Sequence, residues 1–101
     1  MPTYKIQFIP SALKDWRGID HALKAQLSKK LEQIAENPHI PSARMRGYIG
    51  AYRIKARSAG FRLIYQVDDD IITVFVIAIG KRERAEAFET GLQRLRDRHD
   101  D

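Results

Sequence analysis

Tyr4, Ile6 and Phe8 alternate with Thr3, Lys5 and Gln7, a period of two that predicts a first strand ending near Ile9-Pro10. A short helix, SALKDWRG, follows, with Ser11 as its cap, Leu13 and Trp16 on one side and Gly18 at its close. Asp20 caps a second helix, in which Leu23, Leu27, Leu31 and Ile34 recur at helical spacing beneath a lysine-rich outer face. Asn37-Pro38 stops that helix, because the residue before a proline is pushed out of helical geometry.

The pattern then returns to a period of two. Tyr52, Ile54 and Ala56 alternate with Arg53, Lys55 and Arg57, so three cations share one face of a strand. Ser58-Ala59-Gly60 supplies a turn, with Gly60 free to take positive φ, and FRLIYQV returns as a second strand. With Arg57 opposite Arg62, the parity of this hairpin puts Phe61, Leu63, Tyr65 and Val67 on the apolar face and Arg62 on the cationic one. After an acidic turn at Asp68 to Asp70, the run from Ile71 to Ile79 is almost unbroken and suits a strand buried on both sides at the middle of a sheet. Lys81, Arg82 and Arg84 emerge from its end. A last helix lines up Ala85, Phe88, Leu92 and Leu95, and RDRHDD leaves as a polar tail. The fold class is α+β: an N-terminal strand and helical hairpin packed on a mainly antiparallel four-stranded sheet, with a C-terminal helix.

Composition narrows this further. The chain of 101 residues reads as a single domain, 1–101, with a tail over 97–101. No apolar run approaches the roughly 20 residues of a membrane span, and the N-terminus enters its strand pattern without the form of a secretion signal. No membrane contact and a cytoplasmic location are the expectations. There is no cysteine, so neither disulfides nor thiolate chemistry are available. His21, His39 and His99 stand apart with no ligand spacing, and neither a metal nor a cofactor is expected. A net charge of +5 favours a polyanionic partner. Its distribution says more, because Arg44, Arg46, Arg53, Lys55, Arg57 and Arg62 follow one another with no acid between them.

Like charges facing each other across an antiparallel pair cost up to about 1 kcal/mol each, and a phosphate backbone would offset that cost. A solvated basic face on a basic protein is the plain alternative. Against it stands the ordered set of segments: ALKDWR, LSKKLEQIAENP, ARMRG, YRIKARSAGFRLIYQV and VFVIAIGKRERAEAF. Over nearly the whole chain that set closely resembles the RelE family of bacterial toxin-antitoxin ribonucleases.

The resemblance implies a ribosome-dependent endonuclease that cuts messenger RNA in the decoding site and is held inactive by a RelB-like antitoxin. It implies a metal-independent cut, in which the 2′-hydroxyl attacks the neighbouring phosphate and leaves a cyclic phosphate and a 5′-hydroxyl. Carried over by position, the family's functional residues fall on Arg53, Lys55, Arg62, Arg82 and Phe88. Two depart from the pattern. Arg53 stands for a lysine and can clamp phosphate but hardly lose a proton; Phe88 stands for a tyrosine and can stack on a base without offering a hydroxyl.

Attack by a ribose hydroxyl needs a base, positive charge for the phosphate oxygens and an acid for the leaving oxygen. Lys55 is the one titratable cation of the hairpin cluster, and its arginine neighbours disfavour its charged form, which makes it the candidate base. Arg62 and Arg53 are assigned to transition-state charge, and the resemblance puts Arg82 near the leaving group. Arg57 reads as substrate contact or surface charge. Arg44, Arg46, Lys81 and Arg84 are expected to track messenger or ribosomal phosphates. A toxin-antitoxin heterotetramer would reach operator DNA through the antitoxin. Two other functions fit the same chain: a ParE-like inhibitor of DNA gyrase, and a basic RNA-binding module without catalysis.

Overall fold

A computed structural model describes residues 3–56, 60–81 and 85–99, and the side chains of all of these except 85–88 and 99. In chain order the elements are β1 (Lys5–Phe8), α1 (Pro10–Arg17), α2 (His21–Glu36), β2 (Ala51–Ala56), β3 (Phe61–Asp68), β4 (Thr73–Lys81) and α3 (Ala85–His99), with a 3₁₀ turn at Pro41–Ala43 before β2. The four strands form one sheet in the order β1-β4-β3-β2. β1 runs parallel to β4, and β2, β3 and β4 are antiparallel neighbours.

The two faces of this sheet carry separate cores. One is closed by α1 and α2, where Leu23, Leu27, Leu31 and Ile34 pack against Tyr52, Leu63, Tyr65, Val74 and Val76. That stripe is the one the spacing predicts, and Asp20 does cap α2, its carboxylate accepting from the Leu23 amide at 2.8 Å. On the other face α3 lays Leu95 and Leu92 against Met45, Ile64, Ile77 and Ala78. Central β4 is therefore covered on both sides, as its unbroken apolar run requires. Between β3 and β4 the register slips by one, Ile64 facing Ala78 but Tyr65 facing Val76, so Ile77 is an extra residue in β4.

Four expectations are corrected. α1 begins at Pro10 with Ile9 before it and no side-chain cap, so Ser11 lies inside the helix; proline suits the first helical position because its missing N–H has no partner there to lose. β4 begins at Thr73, and Ile71 and Ile72 are exposed in the turn, Ile72 at φ 49. The helix α3 continues to His99, so most of the expected tail is helical. Finally, His39 is not isolated. Its Nδ1 shares a hydrogen bond with Tyr52 OH and its Nε2 one with Asp69 Oδ1, each 2.9 Å, while Tyr4 OH donates to the same carboxylate at 2.6 Å.

That cluster ties the start of β1, the chain after α2 and the acidic turn together. The bond from Tyr4, then that from His39, holds the Asp69 carboxyl below its ordinary range, and the same contact raises the Tyr4 hydroxyl. Next to it the Tyr52 and Tyr65 rings stack at 5.2 Å. Tyr65 OH donates to the Pro38 carbonyl at 2.8 Å, and burial pushes its pKa well up.

The helix α3 is held by polar as well as apolar contacts. Arg94 Nη1 donates to Asp15 Oδ2 at 2.7 Å and to the Ile77 carbonyl at 2.9 Å, and the Ile79 amide donates to Asp15 at 3.3 Å. One turn on, Arg98 Nε donates to Gln66 Oε1 at 2.9 Å with its guanidinium 4.5 Å from the Phe75 ring centre. No helix of the described residues is long and apolar enough to cross a membrane.

Candidate active site

The strand period puts Arg53 and Lys55 on the α3 face of the sheet, as expected, but their partners differ from those expected. Lys55 lies directly opposite Arg62, and Arg53 opposite Ile64, so the pairing is displaced by two residues from the register with Arg57 opposite Arg62. A shift of two preserves parity, which is why the face assignment survives it. Gly60 takes φ 67 at the entry to β3.

Across the sheet the row continues from Lys55 through Arg62 to Gly80. Gly80 has no side chain to fill the space beside the guanidinium. Lys55 is exposed and Arg62 half-buried, and Arg62 Nε is a buried donor without an acceptor among the described residues. Such a donor favours an anionic oxygen, since leaving it unmet is expensive. The face is shared with the α3 core, so its cations occupy one end of it, beyond Ile64.

Beside Arg53 the basic loop runs back along the outer edge of β2. Arg44 bridges to Tyr52, the Met45 amide donates to the Ala51 carbonyl at 2.9 Å, and the Ala51 amide donates to the Tyr48 carbonyl at 3.2 Å. Between this loop and α3 is a hollow of about 390 Å³, lined by Arg44, Arg46, Tyr48, Arg53, Met45 and Leu92 among others. Arg44 and Arg46 are thus gathered beside Arg53.

The remaining candidates separate. Lys81 pairs with Phe61, which places it on the α1 and α2 side of the sheet, across from Arg62. Arg57, Arg82 and Arg84 lie outside the described residues, as does the side chain of Phe88. Among the described residues no three acidic, histidine or cysteine side chains cluster as a metal site. Sequence reasoning missed Tyr48 and Leu92 as walls of the hollow. An aromatic residue inside an acid-free basic loop is the one signal that was available.

Comparison with known proteins identifies the family. Residues 6–86 match the family described as the ParE toxin of type II toxin-antitoxin systems. The mRNA interferase toxin RelE of Escherichia coli K12 is 44% identical over 92 residues, 91% of this chain and 97% of that protein. The mRNA interferase RelE of Shigella flexneri matches to the same extent. Among solved structures, free E. coli RelE, as a double arginine-to-alanine mutant, superposes with a TM-score of 0.83 at 41% identity, over 91% of this chain and 97% of that one. The toxin of the intact E. coli RelBE toxin–antitoxin complex gives 0.76 at 46% identity, over 80% and 99%.

Proposed function

Because the chain belongs to the RelE/ParE family of type II toxin-antitoxin toxins, we propose that its hairpin cations cut messenger RNA on the ribosome. It is an endoribonuclease of the mRNA interferase class, as its relatives' names state of them. The observation that carries the mechanism is the facing pair Lys55 and Arg62, with Arg53 one step along the same face.

Lys55, facing a guanidinium across the two strands, is placed to take the proton of a ribose 2′-hydroxyl. The freed oxygen attacks phosphorus and forms a 2′,3′-cyclic phosphate as the bond to the 5′-oxygen breaks. Charge on the equatorial oxygens is met by Arg62 and Arg53, whose planar forks fit two phosphate oxygens at once. The leaving 5′-oxygen falls to Arg82. No step calls for a metal. A RelB-like antitoxin is the partner that restrains the toxin, consistent with the RelBE complexes its structural relatives form, and operator DNA is reached through that antitoxin.

Primer extension on a messenger translated in a reconstituted system tests this. Cuts that need ribosomes and fall by about two orders of magnitude or more in Lys55→Ala and Arg62→Ala are the expected result. An uncut messenger, with the wild type still toxic to cells, overturns it in favour of gyrase inhibition.

A further inference from the structure

We propose that the hollow between the basic loop and α3 is a nucleotide subsite. It holds one base of the messenger next to the cut against Tyr48 and Leu92, with the adjoining phosphate on Arg44 and Arg46. The inference rests on the ribonuclease reading and adds a specificity element to it. Three observations converge.

The first is chemistry. The lining combines an aromatic and an aliphatic side chain with three guanidinium groups, and no acid occurs anywhere from residue 37 to residue 67. Stacking surface beside a backbone-tracking cationic groove is how single-stranded nucleic acid is held.

The second is continuity. Arg53 lines the hollow and also stands two residues from Lys55 on the same strand face. That separation, roughly 6.7 Å at strand rise, is of the order of one nucleotide step. A phosphate at Lys55 and Arg62 therefore places the next nucleotide at Arg53 and its base at the mouth of the hollow. The volume of about 390 Å³ lies within the range of small-ligand pockets.

The third is preorganisation. The loop is fixed on both sides of Tyr48 by the Met45 and Ala51 backbone bonds, and Gln66 Nε2 donates to the Ile49 carbonyl at 3.0 Å. Gln66 is in turn held by Arg98. A wall that is already ordered loses little entropy when a base arrives.

The test uses ribosomes programmed with a messenger carrying 4-thiouridine at successive positions around the cut and a 2′-deoxy sugar at the cut itself, so that binding is read without cleavage. Irradiation with the full-length protein, followed by mass spectrometry, is expected to crosslink one position to the segment around Tyr48. On cleavable messenger, Tyr48→Phe should keep kcat/KM within about twofold, whereas Tyr48→Leu, which keeps an apolar side chain without the ring, should lose about tenfold for want of one stacked base. It should also flatten the base preference at the crosslinked position. Crosslinks confined to other segments, with Tyr48→Leu cutting every messenger as the wild type does, overturn the subsite. Lys55-dependent cutting in that same experiment leaves the ribonuclease reading standing, so the two failures are told apart. A Tyr48→Leu protein whose thermal midpoint has dropped is replaced by Tyr48→Met, judged by the same base preference.

Discussion

Gly50 sits where the basic loop turns into β2, at φ 70, with its carbonyl accepting from the Val67 amide at 2.8 Å. A Cβ at this position would lie 2.8 Å from the Val67 carbonyl oxygen, a backbone atom that cannot swing aside. Gly50→Ala adds that collision to the cost of a left-handed conformation, so a loss of about 2 kcal/mol or more is expected in urea unfolding. Asp69 answers to pH instead. Its pKa is lowered in the folded state, so its contribution is complete above the unfolded value of about 3.9 and disappears as pH falls through the lower folded value. Unfolding midpoints taken from about pH 6 down to about pH 2 should therefore fall more steeply for the wild type than for Asp69→Asn, with the two curves converging in acid.

Among the elements, α3 is the one whose attachment can be measured piece by piece. Arg94 and Asp15 are 19% and 26% exposed as side chains, buried enough that screening is weak. Arg94→Ala leaves the Asp15 carboxylate with only the Ile79 amide among the described residues, and a loss of about 2–3 kcal/mol is expected. A double-mutant cycle with Asp15→Asn should return a coupling of about 1–2 kcal/mol, and a coupling near zero would mean that Leu92 and Leu95 alone hold the helix. These contacts also mark the limit of what could be read from the sequence. The stripe of α2 and the two faces of the hairpin were legible because each depends only on a local period, and a register error of two leaves a period of two intact. Nothing local marks Arg94 and Arg98 as anchors, because their partners, Asp15 and Gln66, lie 79 and 32 residues away. That Lys55 and Arg62 share a face was legible, but that they stand opposite each other was not, because a period of two leaves the register open. The hollow was not, since it exists only where a loop, a strand edge and a helix meet.

For the molecule as a whole the charge is polarised along β3. The strand begins beside the cations at Arg62 and ends, roughly 20 Å away at strand rise, in the aspartates of the β3–β4 turn. An RNA strand approaching from a distance is oriented by that difference before any contact forms. Binding to programmed ribosomes should weaken steeply with salt, and Arg46→Ala should reduce the slope of log K against log salt by about 0.7, the contribution of one phosphate contact on a single strand. Lys29→Ala, on the exposed face of α2, should leave the slope unchanged.

β1 pairs with only the first half of β4, leaving Ile77 to Lys81 without a strand neighbour on that side. Asp15 takes the Ile79 amide and Arg94 takes the Ile77 carbonyl, so two side chains stand where a strand would have lain. An open edge of that length would otherwise be a template for the β4 of another copy. With an amide and a carbonyl of that edge already engaged by side chains, strand addition there is disfavoured. The chain is thereby guarded against polymerising through its own sheet.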